Sequence, residues 1–418
     1  MRIVVIHQYF LRPGESGGSR FNELTRYWRR SGHDVTVVAG QVHYATGERA
    51  AEYRGRWIVE EDSDGVRVLR CYTPGTYHRG TIGRMWAFFG YLLSSCWAVL
   101  FRIGKADVVV ATSPPLVTAI PGLLAKLLRS WPLVFEVRDL WPESAVATGV
   151  LQDGSAFTKE MYRLEAAAYR RADRINVLTP AFRENIVARG LAPEDRIVFV
   201  PNGADLDLFA PGPRDNEVRR RHGWGNTFVA LYAGAHGKAN CLLQLVDAAD
   251  LLREKDVLLV SVGDGPERHE LEEEAKRRGL SNIRFLGAVP KEEMPSYVQA
   301  ADVGMAVLKR VDTFKTVYPN KVFDYMACER PVLVAIDGVA RRLVEEEAHA
   351  GLFAEPENAK EIAERILQLK ADPGLCRKFG LAGRKYVLDN FSREVLAAQY
   401  ERILADLVYS AGKSSALP

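Results

Sequence analysis

The sequence has no excess of charge of one sign. Its 418 residues carry 56 lysines and arginines against 53 aspartates and glutamates, a net charge of +3. That balance gives no support for a polyanion binder, so nucleic acid is not an expected partner. Cysteine is sparse: the five (Cys71, Cys96, Cys241, Cys328 and Cys376) are scattered and never form a C-x-x-C pair. They read as reduced thiols in a cytoplasmic protein, not as a disulfide frame or a zinc site. Also missing are G-x-G-x-x-G after a strand and G-x-x-x-x-G-K-[ST], which speaks against a Rossmann dehydrogenase and a Walker site. No D-x-D pair suited to a metal stands out, and no metal or other cofactor is expected. The amino terminus, MRIVVIHQYF, has too short an apolar run for a signal peptide and reads as a first strand.

What is present is ordinary globular material, 47% hydrophobic and 26% charged. At about 150 residues per domain the length predicts two or three domains. The first forty residues read as strand, glycine loop, helix and strand, with Phe21, Leu24, Tyr27 and Trp28 on one helical face. ADVVVATSP, LVFEVRDLW, RINVLTP and RIVFVPNG are further buried-strand candidates. LDLFAPGPRDNEVRRRHGWGNT, with its prolines, glycines and clustered charge, reads as a linker. The pattern then restarts with FVALYAG, a loop, a helix and VLLVSVG, followed by IRFLGAV, ADVGMAVL and VLVAI. The expected division is an amino-terminal Rossmann-like domain over 1–205, a linker over 206–226 and a second Rossmann-like domain over 227–390. A helix over 391–410 and a disordered tail over 411–418 would follow.

Four loops gather residue types suited to phosphate. PGESGGSR places Gly14, Gly17 and Gly18 before a helix, and YAGAHGKAN repeats the arrangement with Gly234, Gly237 and Lys238. VGDGPER adds Gly263 and Gly265, and YPNK adds Asn320 and Lys321 at a helix start. Glycine lets backbone N–H groups approach an anion at the positive end of a helix, where a lysine is otherwise disfavoured by roughly 0.3–1 kcal/mol. Each loop alone is equally an ordinary turn, and Lys321 alone could simply point into water. Together they favour a phosphate-bearing ligand at the carboxyl ends of the two sheets. FEVRDLWPES puts Arg138, Asp139 and Glu143 at the end of a buried strand, which is either an active-site group or an ion pair closing a turn.

One region is apolar and basic at once. Between Val66 and Ala106 there are six lysines or arginines and no acid, and residues 85 to 101 carry no charge. A run of that length is short for a spanning helix. Arg84 and Arg102 flank it, and Trp86 and Trp97 are natural interfacial anchors. It is either a helix resting on an anionic membrane surface, through residues 66–105, or one buried in the first domain.

Taken together, GGSRFNELTRYWRRSGHDVTVVAG, VPNGADLDLFAP, the stretch from LVSVGDGPERHELEEEA to ADVGMAVL, and KVFDYMACERPVLV resemble glycosyltransferase family 4 over nearly the whole chain. FEVRDLWPES, YAGAHGKAN and YPNKVFDYMA are most similar to the subgroup that builds bacterial surface polysaccharides, including the fucosamine transferases of O-antigen synthesis. The resemblance implies an α/β chain of the GT-B fold: two Rossmann-like domains facing across a cleft, with a final helix crossing back to the first. It implies a nucleotide-sugar donor, usually uridine-linked, whose diphosphate lies between the Gly17–Gly18 loop and Lys238. The base would meet backbone near Val289, beside Gly263 and Gly265, and Asn202, Gly234, Gly237, Asn320 and Lys321 would complete the donor site. Asp324 stands where the family's second motif glutamate holds the ribose, while the first falls at Thr316. Glu329 replaces the usual glycine after this helix, where a left-handed cap would cost about 1–2 kcal/mol.

The function implied is transfer of a sugar to a lipid-linked or saccharide acceptor at the cytoplasmic face of the membrane, with retained configuration. Asp139, Lys238, Arg138 and Glu143 would be the catalytic group. The alternatives are a nucleotide-sugar 2-epimerase of the same architecture and a non-catalytic scaffold that binds polysaccharide or membrane.

Overall fold

The computed structural model describes residues 1–15, 20–43, 47–76 and 80–415, without the side chains of 81 and 413–415. Its chain forms two compact units, Met1–Pro201 with Glu394–Pro418, and Asn202–Arg393.

The first unit is built on strands β1 (Arg2–Ile6), β2 (Asp34–Gly40), β3 (Ile58–Ser63), β4 (Val66–Cys71), β5 (Val108–Ser113), β6 (Leu133–Val137), β7 (Arg174–Val177) and β8 (Ile197–Phe199). They form one sheet in the order β3-β4-β2-β1-β5-β6-β7-β8. All neighbours are parallel except β3 and β4. The interior strands are runs of β-branched and aliphatic residues, as burial on both faces requires. The β3–β4 hairpin is absent from the sequence reading. Asp64 and Gly65 turn it with φ of 55° and 77°, the two left-handed residues that a tight hairpin favours.

Helix α1 (Arg20–Arg30) buries Phe21, Leu24 and Trp28 completely, with Tyr27 partly covered. Helices α2 (Gly80–Trp97) and α3 (Ala119–Arg129) also belong to this unit. So does the chain's last long helix (Arg393–Ser415), whose Leu396, Tyr400 and Leu404 complete the core over α1. Trp28 Nε1 donates to the Ala397 carbonyl at 3.1 Å.

The second unit holds β9 (Phe228–Ala233), β10 (Val257–Val262), β11 (Ile283–Phe285), β12 (Val303–Val307), β13 (Val332–Ala335) and β14 (Gly351–Phe353). They form one parallel sheet in the order β11-β10-β9-β12-β13-β14. Asn320, Lys321 and Asp324 are carried by α4 (Asn320–Ala327). Its Tyr325 hydroxyl accepts from Ala233 N at 2.9 Å and donates to the Met305 carbonyl at 3.2 Å, so the helix is stitched to β9 and β12. Gly304 leaves room for that ring: a Cβ there would lie 2.3 Å from it.

Two expectations change. The last helix runs on through Ser415, where a disordered tail from 411 was expected. The stretch 206–226 is not a free linker. Asn216 caps a helix at Glu217–His222, and Phe209, Val218 and Trp224 enter the second unit's core. Its clustered charge is internal pairing, with Arg214 Nε 2.5 Å and Arg219 Nη2 2.6 Å from Asp302. The left-handed cap after α4 is present despite the missing glycine. Glu329 has φ of 57°, Arg330 N donates to the Tyr325 carbonyl at 3.0 Å, and Glu329 N to that of Met326 at 3.1 Å.

Candidate active site

In the second unit, the loops after β9 and β10 are fastened together at the carboxyl ends of their strands. Gly234 N donates to the Val262 carbonyl at 2.9 Å, His236 N to that of Asp264 at 2.9 Å, and Glu267 N to that of His236 at 3.0 Å. Gly263 has φ of 144°, and a Cβ on it would fall 1.9 Å from the Gly234 carbonyl oxygen. A Cβ on Gly265 would strike the His236 backbone at 2.5 Å. Both glycines are therefore required by loop against loop. Gly263 N bonds to the Gly287 carbonyl at 2.8 Å, which brings in the loop that carries Val289, itself packed on the core.

Lys321, the second residue of α4, projects to this edge. Its Nζ lies 3.7 Å above the centre of the Tyr232 ring, and a Cβ on Gly234 would sit 2.8 Å from it. Among the described residues it makes no hydrogen bond or ion pair with an acid, and burial lowers its pKa to about 7. A desolvated amine with no acid bonded to it among the described residues, beside glycine backbone and the start of a helix, is suited to an anionic ligand. Asp324 lies one turn further along the same helix, on its side. Asn320 is exposed at the first turn.

Lys238 is exposed in the turn after Gly237, near Glu267, and no bond ties it to the Lys321 group. Asn202 buries its side-chain oxygen without a partner among the described residues. His236 was not anticipated. It is buried, shares a 2.7 Å hydrogen bond with Ser261 Oγ, and is held neutral by burial and by the nearby Arg268.

In the first unit, Arg138 and Asp139 follow β6, and Glu143 opens a short helix at Glu143–Ala147. Asp139 accepts from Ser144 Oγ at 2.6 Å, yet burial outweighs that bond and raises its pKa. A carboxyl held up in this way accepts a proton more readily than an ordinary aspartate. The Arg138 guanidinium reaches 3.5 Å from Nδ1 of His7, which burial and that cation keep neutral. Gln8, Thr112 and Ser113, at the carboxyl ends of β1 and β5, bury side-chain polar atoms that find no partner among the described residues. Buried polar groups are ordinarily satisfied, so these atoms are free to accept or donate further hydrogen bonds. Nothing but alternation marked these residues in the sequence. Near them lies a cavity of about 360 Å³, lined by Arg12, Glu15, Gln41, Arg49, Tyr53 and Arg70. Gly17 and Gly18 lie outside the described residues. Among the described residues no group of three or more His, Cys, Asp or Glu side chains is placed to hold a metal ion.

Two units, each built on a Rossmann-like sheet with polar groups at its carboxyl edge, have the architecture of the GT-B fold. Residues 17–203 match the glycosyl transferase 4-like domain, and residues 214–386 match the glycosyl transferases group 1 domain. The chain is 30% identical over 389 residues to D-inositol 3-phosphate glycosyltransferase 1 of Catenulispora acidiphila, covering 89% of this chain and 88% of that one. It is 22% identical over 393 residues to Escherichia coli WcaI, a glycosyl transferase assigned to colanic acid biosynthesis, covering 92% and 94%. Anabaena HepE, solved with UDP-glucose, superposes with a TM-score of 0.73 at 17% identity over 97% of this chain and 100% of that one. The protein belongs to the family 4 glycosyltransferases of the GT-B fold.

Proposed function

We propose that the protein passes a sugar from a uridine diphosphate sugar, N-acetylated or deoxygenated as in the fucosamine transferases, to a lipid-linked or saccharide acceptor. The product belongs to cell-surface polysaccharide, and transfer retains the anomeric configuration and needs no metal. The observation that carries this reading is the Lys321 amine, desolvated and without an anionic partner at the carboxyl edge of the second sheet. In the reaction the bond from the anomeric carbon to the β-phosphate oxygen breaks, and negative charge grows on the diphosphate. Lys321, Lys238 and the amino end of α4 are the groups of this chain that can stabilise that charge where it develops. The acceptor oxygen forms the new bond to the anomeric carbon and its proton passes to the departing diphosphate oxygen, while Asp139 is the carboxyl suited to orient the hydroxyl. Asp324 would hold the ribose, and the cavity near Arg49 and Arg70 would take part of the acceptor. HepE's complex with UDP-glucose supports the choice of uridine.

Calorimetry with UDP on the wild type and on Lys321→Met tests the donor half. Affinity should fall in the variant, and unchanged affinity would reject the assignment. Asp139→Asn should reduce transfer by roughly a hundredfold or more while leaving UDP affinity intact, within the usual cost of misplacing a reacting group. Full activity would remove Asp139 from the reaction.

A further inference from the structure

Helix α2 is the least protein-like surface of the first unit. Its inner face is fixed to the sheet: Ala87, Tyr91, Ser94, Ser95, Ala98 and Val99 are buried. Tyr91 donates to the Val38 carbonyl at 3.1 Å, and Ser94 Oγ to that of Tyr72 at 2.8 Å. Gly90 is pressed against Pro74, so closely that a Cβ would sit 2.3 Å from it. The outer face is different. Met85, Phe89, Leu93, Trp97 and Phe101 recur every fourth residue and are all exposed, Phe101 to 64%. Trp86 joins them, and Ile82 at the head of the stripe is 84% exposed. The rings pair off along the stripe: Trp86 with Phe89 at 5.7 Å and Trp97 with Phe101 at 4.5 Å.

The patch widens at its far end. Arg129, closing α3, donates to the carbonyls of Leu100 at 2.7 Å and Ile103 at 3.1 Å. That holds the last turn of α3, with exposed Leu127 and Leu128, beside Phe101. A contiguous apolar surface of this size marks an interaction site.

We propose that this stripe lies in the plane of an anionic lipid bilayer, immersed to the depth of its side chains and not spanning. The inference deepens the lipid-acceptor part of the reading above and rests on it only for its purpose. By composition Ile82–Arg102 is apolar enough to cross a membrane, but its inner face is committed to the protein core. Charge selects the occupant. Arg84, half-buried, stands at one end, Arg102 and Lys105 at the other. No acid occurs from Val66 to Ala106, and the carboxylate facing Arg102 is Glu60, across 3.9 Å at the surface. Such a rim complements anionic headgroups. Antiparallel pairing with a second copy would set Arg84 against the other copy's Arg102, like charge on like charge, which an interface between copies avoids. Tryptophan in both halves of the stripe suits the headgroup boundary.

The test is co-sedimentation of the full chain with vesicles of equal parts phosphatidylglycerol and phosphatidylethanolamine, in the absence of donor and acceptor. The wild type should pellet with these vesicles and weakly with phosphatidylcholine alone. A variant carrying Trp86→Ser, Phe89→Ser, Trp97→Ser and Phe101→Ser should lose roughly tenfold or more in partitioning, because binding scales with the apolar area immersed. Arg84→Gln with Arg102→Gln and Lys105→Gln should lose the preference for anionic lipid. UDP binding by the same proteins reports folding and tests the donor site separately. Equal partitioning of wild type and serine variant, or no partitioning by either, overturns the proposal. So does a lipid-free wild type that is dimeric through this face and becomes monomeric in the serine variant.

Discussion

Each unit plants a cation at the start of a helix, and the two are treated in opposite ways. Arg20 begins α1 and is fully enclosed. Its Nε and Nη2 meet Glu136 at 3.0 and 3.2 Å, and Nη2 also donates to the Val200 carbonyl at 2.8 Å. Asn176 completes the group, donating to Glu136 at 2.9 Å and accepting from Val200 N at 2.8 Å. Lys321, near the start of α4, has an aromatic face under it and, among the described residues, no acid bonded to it. A cation that the protein itself neutralises holds structure together; one without a bonded acid among the described residues is, in the function proposed above, the one that meets the donor's diphosphate. Both stand in the first turn of a helix, so it is the partner that separates the two charges.

The sharpest way to break this contrast is to remove each cation in turn. Arg20→Leu strands the Glu136 carboxylate in the core and should cost about 3–5 kcal/mol in denaturant unfolding. The folded fraction should still bind UDP normally. A loss under about 1 kcal/mol would mean that Glu136 needs no partner. Lys321→Met should do the reverse. UDP affinity should fall by about 1.5–3 kcal/mol, the range for hydrogen bonds to charged groups, while the melting temperature rises. The sign follows from the pKa: a lysine held at about 7 when folded is harder to charge than when unfolded, so it weakens the fold at neutral pH. A melting temperature lowered by this change would contradict the account.

The pH dependence of binding sharpens the same point. Below about pH 7 the amine is already charged and UDP should bind without proton uptake. Above it the free protein has lost that proton and must regain it. Affinity should therefore fall about tenfold per pH unit, until the pKa of the complex is reached. Calorimetry in buffers of different ionisation enthalpy would count the proton directly; none taken up at pH 8 would refute the scheme. The smallest effect is expected at the other end of α4. Glu329→Gly relieves a left-handed residue and should stabilise by about 0.5–1 kcal/mol, the cost of a Cβ there less the entropy glycine adds to the unfolded chain. UDP affinity should not change, and a change would mean that the cap helps set the position of Lys321.

The parallel strands were readable because residues such as those of VVVATS and VLLVSV leave no alternative to burial on both faces. The β3–β4 hairpin was not, since IVEEDS is an acid-rich edge strand: Glu60 and Asp62 face solvent, and Glu61 is spent on the buried Arg70, so no apolar alternation shows. The Asp64–Gly65 turn was the available signal. Around the site, glycines flagged for phosphate turned out to be shaped by packing: Gly263 and Gly265 answer to the backbone of Gly234 and His236. Lys321 was legible from its place in the helix. The role of Tyr232 beneath it depends on the register of β9 against β12, which no local pattern encodes. The buried Gln8, Thr112 and Ser113 are likewise ordinary strand-end residues until the sheet sets them side by side.

The last helix has a consequence for biosynthesis. The second unit is an insertion within the first: the chain enters it at Asn202 and leaves at Arg393. Entrance and exit are fastened to each other, with Ala204 N to the Phe391 carbonyl at 3.0 Å and Arg393 N to that of Ala204 at 2.9 Å. The half of the enzyme translated first therefore waits for the residues translated last, since Leu396, Tyr400 and Leu404 must emerge from the ribosome before Trp28 is covered. The later-made half has all of its own residues by then, so the usual amino-to-carboxyl order of domain folding on the ribosome is inverted.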